Sequence, residues 1–199
     1  MLDCRASFPT GISNYLQKLT FLDSLLLLVT LFVAVWLKIL LIVSGPEDLT
    51  WMLTPVMSAV RAFTGLQFFF DPAKGYVNFE NAVVIGTSCA GVNYLIIALC
   101  MTVFSSVPRF REHKLPAFAL LILAAYAVTV MVNAFRIISG IVLLRTANHF
   151  SFAMTDAVHE AAGIFVYFSF LALYYVSLQA LLSRIGEKTR VVRLESRGK

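Results

Sequence analysis

Charge is scarce in this chain. Only 14% of its 199 residues are charged and 59% are hydrophobic, whereas an ordinary soluble domain carries roughly a quarter charged residues. The deficit excludes a water-soluble fold, because the apolar excess is gathered into long blocks and leaves no room for a second, soluble domain. Cysteine is scarce too. Cys4, Cys89 and Cys100 form no CxxC pair, so neither a disulfide framework nor a zinc site is expected, and no metal or cofactor is implied. Lys and Arg outnumber Asp and Glu by 16 to 11, but the basic residues flank apolar blocks instead of interleaving with aromatics. Nucleic acid is therefore not an expected partner; positive charge so placed sets membrane orientation. A cleaved leader is not expected either, since the first apolar block starts only near Phe21, outruns a typical leader and lacks an A-x-A site. No internal repeat or low-complexity tract is visible.

What the sequence does have is length in its apolar runs. A helix needs about 20 such residues to cross a bilayer, and four blocks qualify: 22–43, 89–107, 116–144 and 159–182. The expected fold is all-α, a single polytopic transmembrane helical bundle. Segment 49–70, interrupted by Pro55, Arg61, Gly65 and Gln67, reads as an interfacial or re-entrant helix, and 183–199 as a basic cytoplasmic tail. The basic residues Arg109, Arg111 and Lys114, and the tail residues from Arg184 to Lys199, contrast with a 44–88 stretch containing Glu47, Asp48, Asp71 and Glu80. Four spans with both termini cytoplasmic satisfy these asymmetries.

That topology assigns depth to three residues with chemical potential. The second and fourth spans run inward, so Cys89 and His159 stand at their outer ends. The third runs outward from Pro116 and covers a hydrocarbon core of about 30 Å in about 20 residues, which brings Arg136 to the same outer boundary. Each residue also has a plain structural reading. A lone cysteine in an apolar helix is usually a small packing residue, as expected for Cys100; Cys4 is expected to be an incidental thiol. Cys89 differs because Gly86-Thr87-Ser88 reads as a helix start, where the dipole favours thiolate. An arginine at the centre of a spanning helix costs about 2.5–3.5 kcal/mol; near the boundary it can snorkel, as expected of Lys38. Asn133 and Ser139, one turn to either side of Arg136, are in register to orient its guanidinium. His159 is either a solvated interfacial side chain or a titrating group placed behind Thr155 and Asp156, with Asp156 able to favour its charged form.

Thr87-Ser88-Cys89-Ala90-Gly91, Asn133-Ala134-Phe135-Arg136 and the isolated His159 resemble the exosortase/archaeosortase pattern of polytopic membrane transpeptidase-like enzymes. In that pattern a cysteine sits between small residues and glycine, the arginine motif is Asn-x-x-Arg, and a histidine follows. The resemblance covers about Trp51 to Leu182, including Pro55 to Gly65 ahead of the cysteine. The chain is short for the family, with Ala90 where serine is commoner, and is most similar to the compact exosortase K type. The resemblance implies Cys89 as nucleophile, Arg136 as thiolate or oxyanion stabiliser and His159 as general acid and base, supported by Asn133, Ser139 and Asp156. It implies partners too: exported proteins ending in a short motif, a transmembrane helix and a basic tail, processed at the outer face of the cytoplasmic membrane, in contact with membrane lipid. Two other readings stay open on the residues alone. One is a non-enzymatic transporter subunit or envelope-assembly partner using Arg136 for anion or helix binding. The other is a membrane thiol acyltransferase.

Overall fold

A computed structural model describes residues 20–80, 83–107, 114–149 and 156–197, with side chains described for 20–80, 83–107, 115–143 and 161–184. Among these residues the chain forms five α-helices and one small sheet: α1 (Phe21–Val43), α2 (Thr50–Thr64), β1 (Phe69–Asp71), β2 (Gly75–Asn78), β3 (Val83–Ile85), a 3₁₀ turn (Thr87–Cys89), α3 (Val92–Ser106), α4 (Lys114–His149) and α5 (Asp156–Arg197). Four segments are long and apolar enough to cross a membrane: Phe21–Val43, Thr87–Ser106, Leu115–Leu143 and Ala161–Arg184. The protein is an all-α, multi-pass helical bundle. Helix α3 is its centre, packing against α1, α4 and α5, while α2 lies on α4. The outer helices leave Leu28, Phe32, Trp36, Phe165 and Phe168 exposed, an apolar surface suited to lipid and unsuited to water.

Local chemistry sets the element ends. Thr20 and Asp23 cap α1 reciprocally: Thr20 Oγ1 accepts from the Asp23 N–H at 3.3 Å, and Asp23 Oδ2 accepts from the Thr20 N–H at 2.9 Å. Helix α2 buries one stripe, Met52, Leu53, Val56 and Val60, at the spacing of one helical face. It stops at Gly65, whose φ of +72° places it in the left-handed region. Segment 49–70 is therefore not one helix; past Gly65 it turns into a strand. The run of aromatic and β-branched residues that follows, Phe69, Phe70, Tyr76, Val77 and Val83–Ile85, favours pleated backbone and forms an antiparallel meander in the order β1-β2-β3. Asp71 Oδ1 closes the first hairpin by accepting from the Ala73 and Lys74 N–H groups at 2.8 and 3.1 Å. At Gly75 (φ +93°) a Cβ would collide with the Ile85 carbonyl, so only glycine fits.

Pro55 lies inside α2 and has no N–H to give the carbonyl four residues back, which is Trp51. That carbonyl is taken instead by the Tyr126 hydroxyl of α4 at 2.7 Å, with the Trp51 and Tyr126 rings stacked at 6.1 Å. The proline thus creates a vacancy that fastens α2 to the bundle. Tyr126→Phe is expected to destabilise the protein by about 1–2 kcal/mol, and by clearly less in a Pro55→Ala background, where the helix can supply its own bond to Trp51. Unfolding of the four chains in mixed micelles measures this coupling; an equal Tyr126→Phe cost in both backgrounds would show that the hydroxyl does no such work.

Candidate functional site

The polypeptide enters the site along β3. Gly86 follows Ile85, and Thr87–Cys89 then make a single 3₁₀ turn, with the Cys89 N–H donating to the Gly86 carbonyl at 2.9 Å and the Ala90 N–H to the Thr87 carbonyl at 3.1 Å. Gly91 at φ +72° breaks the chain direction, and α3 begins only at Val92. Cys89 therefore does not open the α-helix, as its sequence context suggests, but stands in a separate turn in front of it. The left-handed residue between them is the reason. The Cys89 side chain is half-buried, with Ser88 Oγ 3.9 Å from its sulfur.

Asn133 on α4 is fully buried. Its amide nitrogen donates to the Cys89 carbonyl in a very short contact, and its amide oxygen accepts from the Tyr167 hydroxyl of α5 at 2.6 Å. Arg136, three residues further along α4, donates from a terminal guanidinium nitrogen to the same Tyr167 oxygen at 3.3 Å. Its guanidinium carbon also lies 5.0 Å from the Tyr167 ring centre, within cation–π range. Among the described residues, the path from Asn133 to Arg136 runs through Tyr167. A relay results: guanidinium, phenol, amide and the carbonyl of the cysteine turn. The sequence carries no motif for Tyr167; its one signal is Gly163, four residues before it. A Cβ at Gly163 would stand 2.6 Å from Arg136 Nε, so glycine makes the space in which the guanidinium lies. Ser139 and Gly140 line a small cavity of about 40 Å³ beside Arg136 and Gly163.

His159 and Asp156 belong to the first turn of α5, and their side chains lie outside the described residues. The helical register puts His159 one turn before Gly163. Cys4 also lies outside the described residues. Cys100 is a half-buried free thiol on α3. Lys38, expected only to snorkel, instead donates to Asn93 Oδ1 at 2.9 Å and ties α1 to the first turn of α3. Asn93 in turn lines a cleft of about 250 Å³ together with Leu41, Thr87, Ser88, Gly91 and Tyr167. The cleft lies beside the cysteine turn and shares Tyr167 with the relay.

No family model, curated protein or solved structure matches the chain. What fold and site define together is a multi-pass helical membrane protein in which a cysteine turn, an arginine and a tyrosine from three separate elements meet beside a cleft.

Replacing Asn133 by Ala takes the donor from the Cys89 carbonyl and the acceptor from the Tyr167 O–H, at about 1–3 kcal/mol for each. Asn133→Ala is expected to lower unfolding stability by at least about 2 kcal/mol. Tyr94→Phe is expected to be neutral or slightly stabilising, because the buried Tyr94 hydroxyl has no partner among the described residues, although its ring lies 5.3 Å from that of Tyr167. Denaturant titration in micelles distinguishes the two variants; equal costs would remove the special standing of Asn133.

Proposed function

We propose that the chain is a membrane cysteine protease or transpeptidase of exosortase type, processing C-terminal sorting signals of exported proteins at the outer face of the cytoplasmic membrane. The observation that carries this reading is the relay joining Arg136 to the Cys89 turn through Tyr167 and Asn133, next to a cleft large enough for a few peptide groups. A bundle that needed Arg136 only as a snorkelling cation would have no use for a hydrogen-bonded route from it to a cysteine.

In this reading Cys89 gives its proton to His159, and its sulfur attacks the scissile carbonyl carbon, forming a carbon–sulfur bond. Collapse of the tetrahedral oxyanion breaks the carbon–nitrogen bond, and the departing amine takes the proton from His159. Water or an acceptor amine then attacks the thioester, giving up a proton through His159 to the released thiol. The product is a new carboxylate or a new amide. Arg136 supplies the positive charge at the site. Tyr167 is a positioning residue: it holds the guanidinium and, through Asn133, stiffens the turn that aims the nucleophile. The substrate is an exported chain ending in a motif, a spanning helix and a basic tail, since such a tail halts translocation and leaves the motif at the outer boundary.

Cys89→Ala and Cys89→Ser are expected to abolish processing of such a substrate, whereas Cys100→Ala leaves it intact. Arg136→Lys should lose at least about tenfold although its charge is kept, because a planar fork of donors is replaced by a point charge. Tyr167→Phe should lower the turnover rate with little change in half-saturating substrate. Mass spectrometry of the substrate C-terminus at matched enzyme abundance is the measurement. It also separates a free carboxylate from an added moiety. Undiminished processing by Cys89→Ala would end the nucleophile reading.

The orientation, with both termini cytoplasmic, places the β1–β2 turn outside. In a chain with all three cysteines replaced by alanine, Lys74→Cys should react with an impermeant maleimide on intact cells, and Arg184→Cys only after permeabilisation. The reverse pattern would move the site to the cytoplasmic face.

A further inference from the structure

The small sheet has a face that none of the chemistry above uses. Strand register puts Phe69, Val77 and Val84 on one side and Phe70, Tyr76 and Ile85 on the other. The second side turns inward: Ile85 is fully buried, and the Tyr76 hydroxyl meets Thr54 Oγ1 of α2 at 2.7 Å. On the first side Val77, in the central strand, is buried, but its neighbours Phe69 and Val84 on the two outer strands are 65% and 47% exposed. Phe79, two residues beyond Val77, is 75% exposed, and its ring lies 6.4 Å from that of Phe69. An antiparallel sheet with one face on its core ordinarily shows polar side chains to water on the other. This one shows two phenylalanines and a valine.

Chain reach says what lies against them. The segment apolar enough to span opens at Thr87, and Val84, with Phe69 level with it by register, stands three residues earlier, at most about 10 Å of chain. The headgroup zone itself extends about 5–7 Å beyond the hydrocarbon boundary, and aromatic side chains concentrate there. The three outward side chains offer roughly 350 Å² of exposed surface, judged from the 150–250 Å² that a buried aromatic contributes. A stable protein partner needs about 800 Å² on each side, so a second copy is poorly served by this patch. Lipid is not.

We propose that Phe69, Phe79 and Val84 insert into the headgroup–acyl boundary of the membrane and so fix the depth of the Cys89 turn. The link to the turn is short: Cys89 follows Ile85 by four residues, and its N–H is bonded back to Gly86. Depth matters for any site that must meet a chain emerging from the bilayer. The insertion itself holds whatever reaction the site performs.

The test uses tryptophan as a depth probe. With the two native tryptophans, Trp36 and Trp51, changed to phenylalanine, Phe79→Trp and, separately, Phe69→Trp are introduced into the full chain. N-acetyltryptophanamide, free in the same buffer, is the aqueous control, because Lys74 at the tip of the first hairpin lies against Gly86 beside the start of the span. In phosphatidylcholine–phosphatidylglycerol vesicles, both sheet probes are expected to emit to the blue of the control. Lipid brominated near the headgroup end of the acyl chain should quench them at least twofold more than aqueous iodide does, and the free control should show the opposite preference. Iodide quenching of both sheet probes equal to that of the control would overturn the proposal by placing the face in water. Protection from both quenchers, with energy transfer between copies that rises with protein-to-lipid ratio, would overturn it in favour of self-association. Neither readout depends on processing, so this proposal and the catalytic one fail separately.

Discussion

A polar group buried among apolar helices that loses its partner has little water to fall back on, and Asn133 is fully buried. One primary amide, fully buried on α4, serves the carbonyl of the cysteine turn with its nitrogen and the Tyr167 hydroxyl with its oxygen. A carboxamide suits the place because it is donor and acceptor at once and carries no charge. Leucine of similar size would leave the Cys89 carbonyl without this donor and the Tyr167 O–H without this acceptor. Aspartate would set an anion against a carbonyl. The position of the 3₁₀ turn relative to α4 and α5 follows from this side chain, and Gly91 follows in turn, since a Cβ there would stand 3.0 Å from the Asn133 side chain. A left-handed glycine and a buried asparagine thus form one unit of packing, although they stand 42 positions apart in the sequence.

The other element contacts use the same device sparingly. The α1–α3 contact has Lys38 to Asn93, α3–α5 has Thr102 to Tyr174 at 2.7 Å, α2–α4 has Tyr126 to the Trp51 carbonyl, and α2–β2 has Thr54 to Tyr76. Lipid tails are as apolar as leucine, so burial of apolar area does little to select one arrangement of spans over another. Directional bonds such as these then help to distinguish the correct rotation of each helix. Two buried threonine hydroxyls return to their own backbone, Thr30 to the Leu26 carbonyl at 2.8 Å and Thr129 to the Ala125 carbonyl at 2.7 Å, whereas the Ser106 and Tyr94 hydroxyls have no partner among the described residues. The two threonine bonds leave no stray donor at their own positions.

These distinctions explain what was legible in the sequence. Four apolar blocks are visible because hydropathy over about 20 residues is a summed signal, insensitive to any one side chain. Cys89, Asn133 and Arg136 stand out because each is unusual in an apolar run. Tyr167 does not, since a tyrosine in a spanning helix is ordinary and its role lies in the direction its hydroxyl points. The sheet escapes for a different reason. Its strands are three or four residues long, too short for period-two alternation to be read, and both faces are apolar, so there is no alternation to find. The break between Cys89 and α3 is likewise a single dihedral, and a Gly-rich helix start looks the same whether or not a 3₁₀ turn stands in front of it.

Arg136 shows how the bundle holds a half-buried charge within an apolar helix. Removing a guanidinium from water is costly unless its face and its edge are both occupied. Here one face is met by the Tyr167 ring, one edge nitrogen by the Tyr167 hydroxyl, and the side toward α5 is left clear by Gly163. Glycine at 163 and tyrosine at 167 are one turn apart on the same helix, so the space and the partner arrive together when α5 docks. The charge is therefore held by α5 although α4 carries it, and any shift of α5 moves the guanidinium and, through Asn133, the cysteine turn. Among the described residues the guanidinium thus meets an aromatic face and a neutral hydroxyl, both supplied by one side chain of the neighbouring helix.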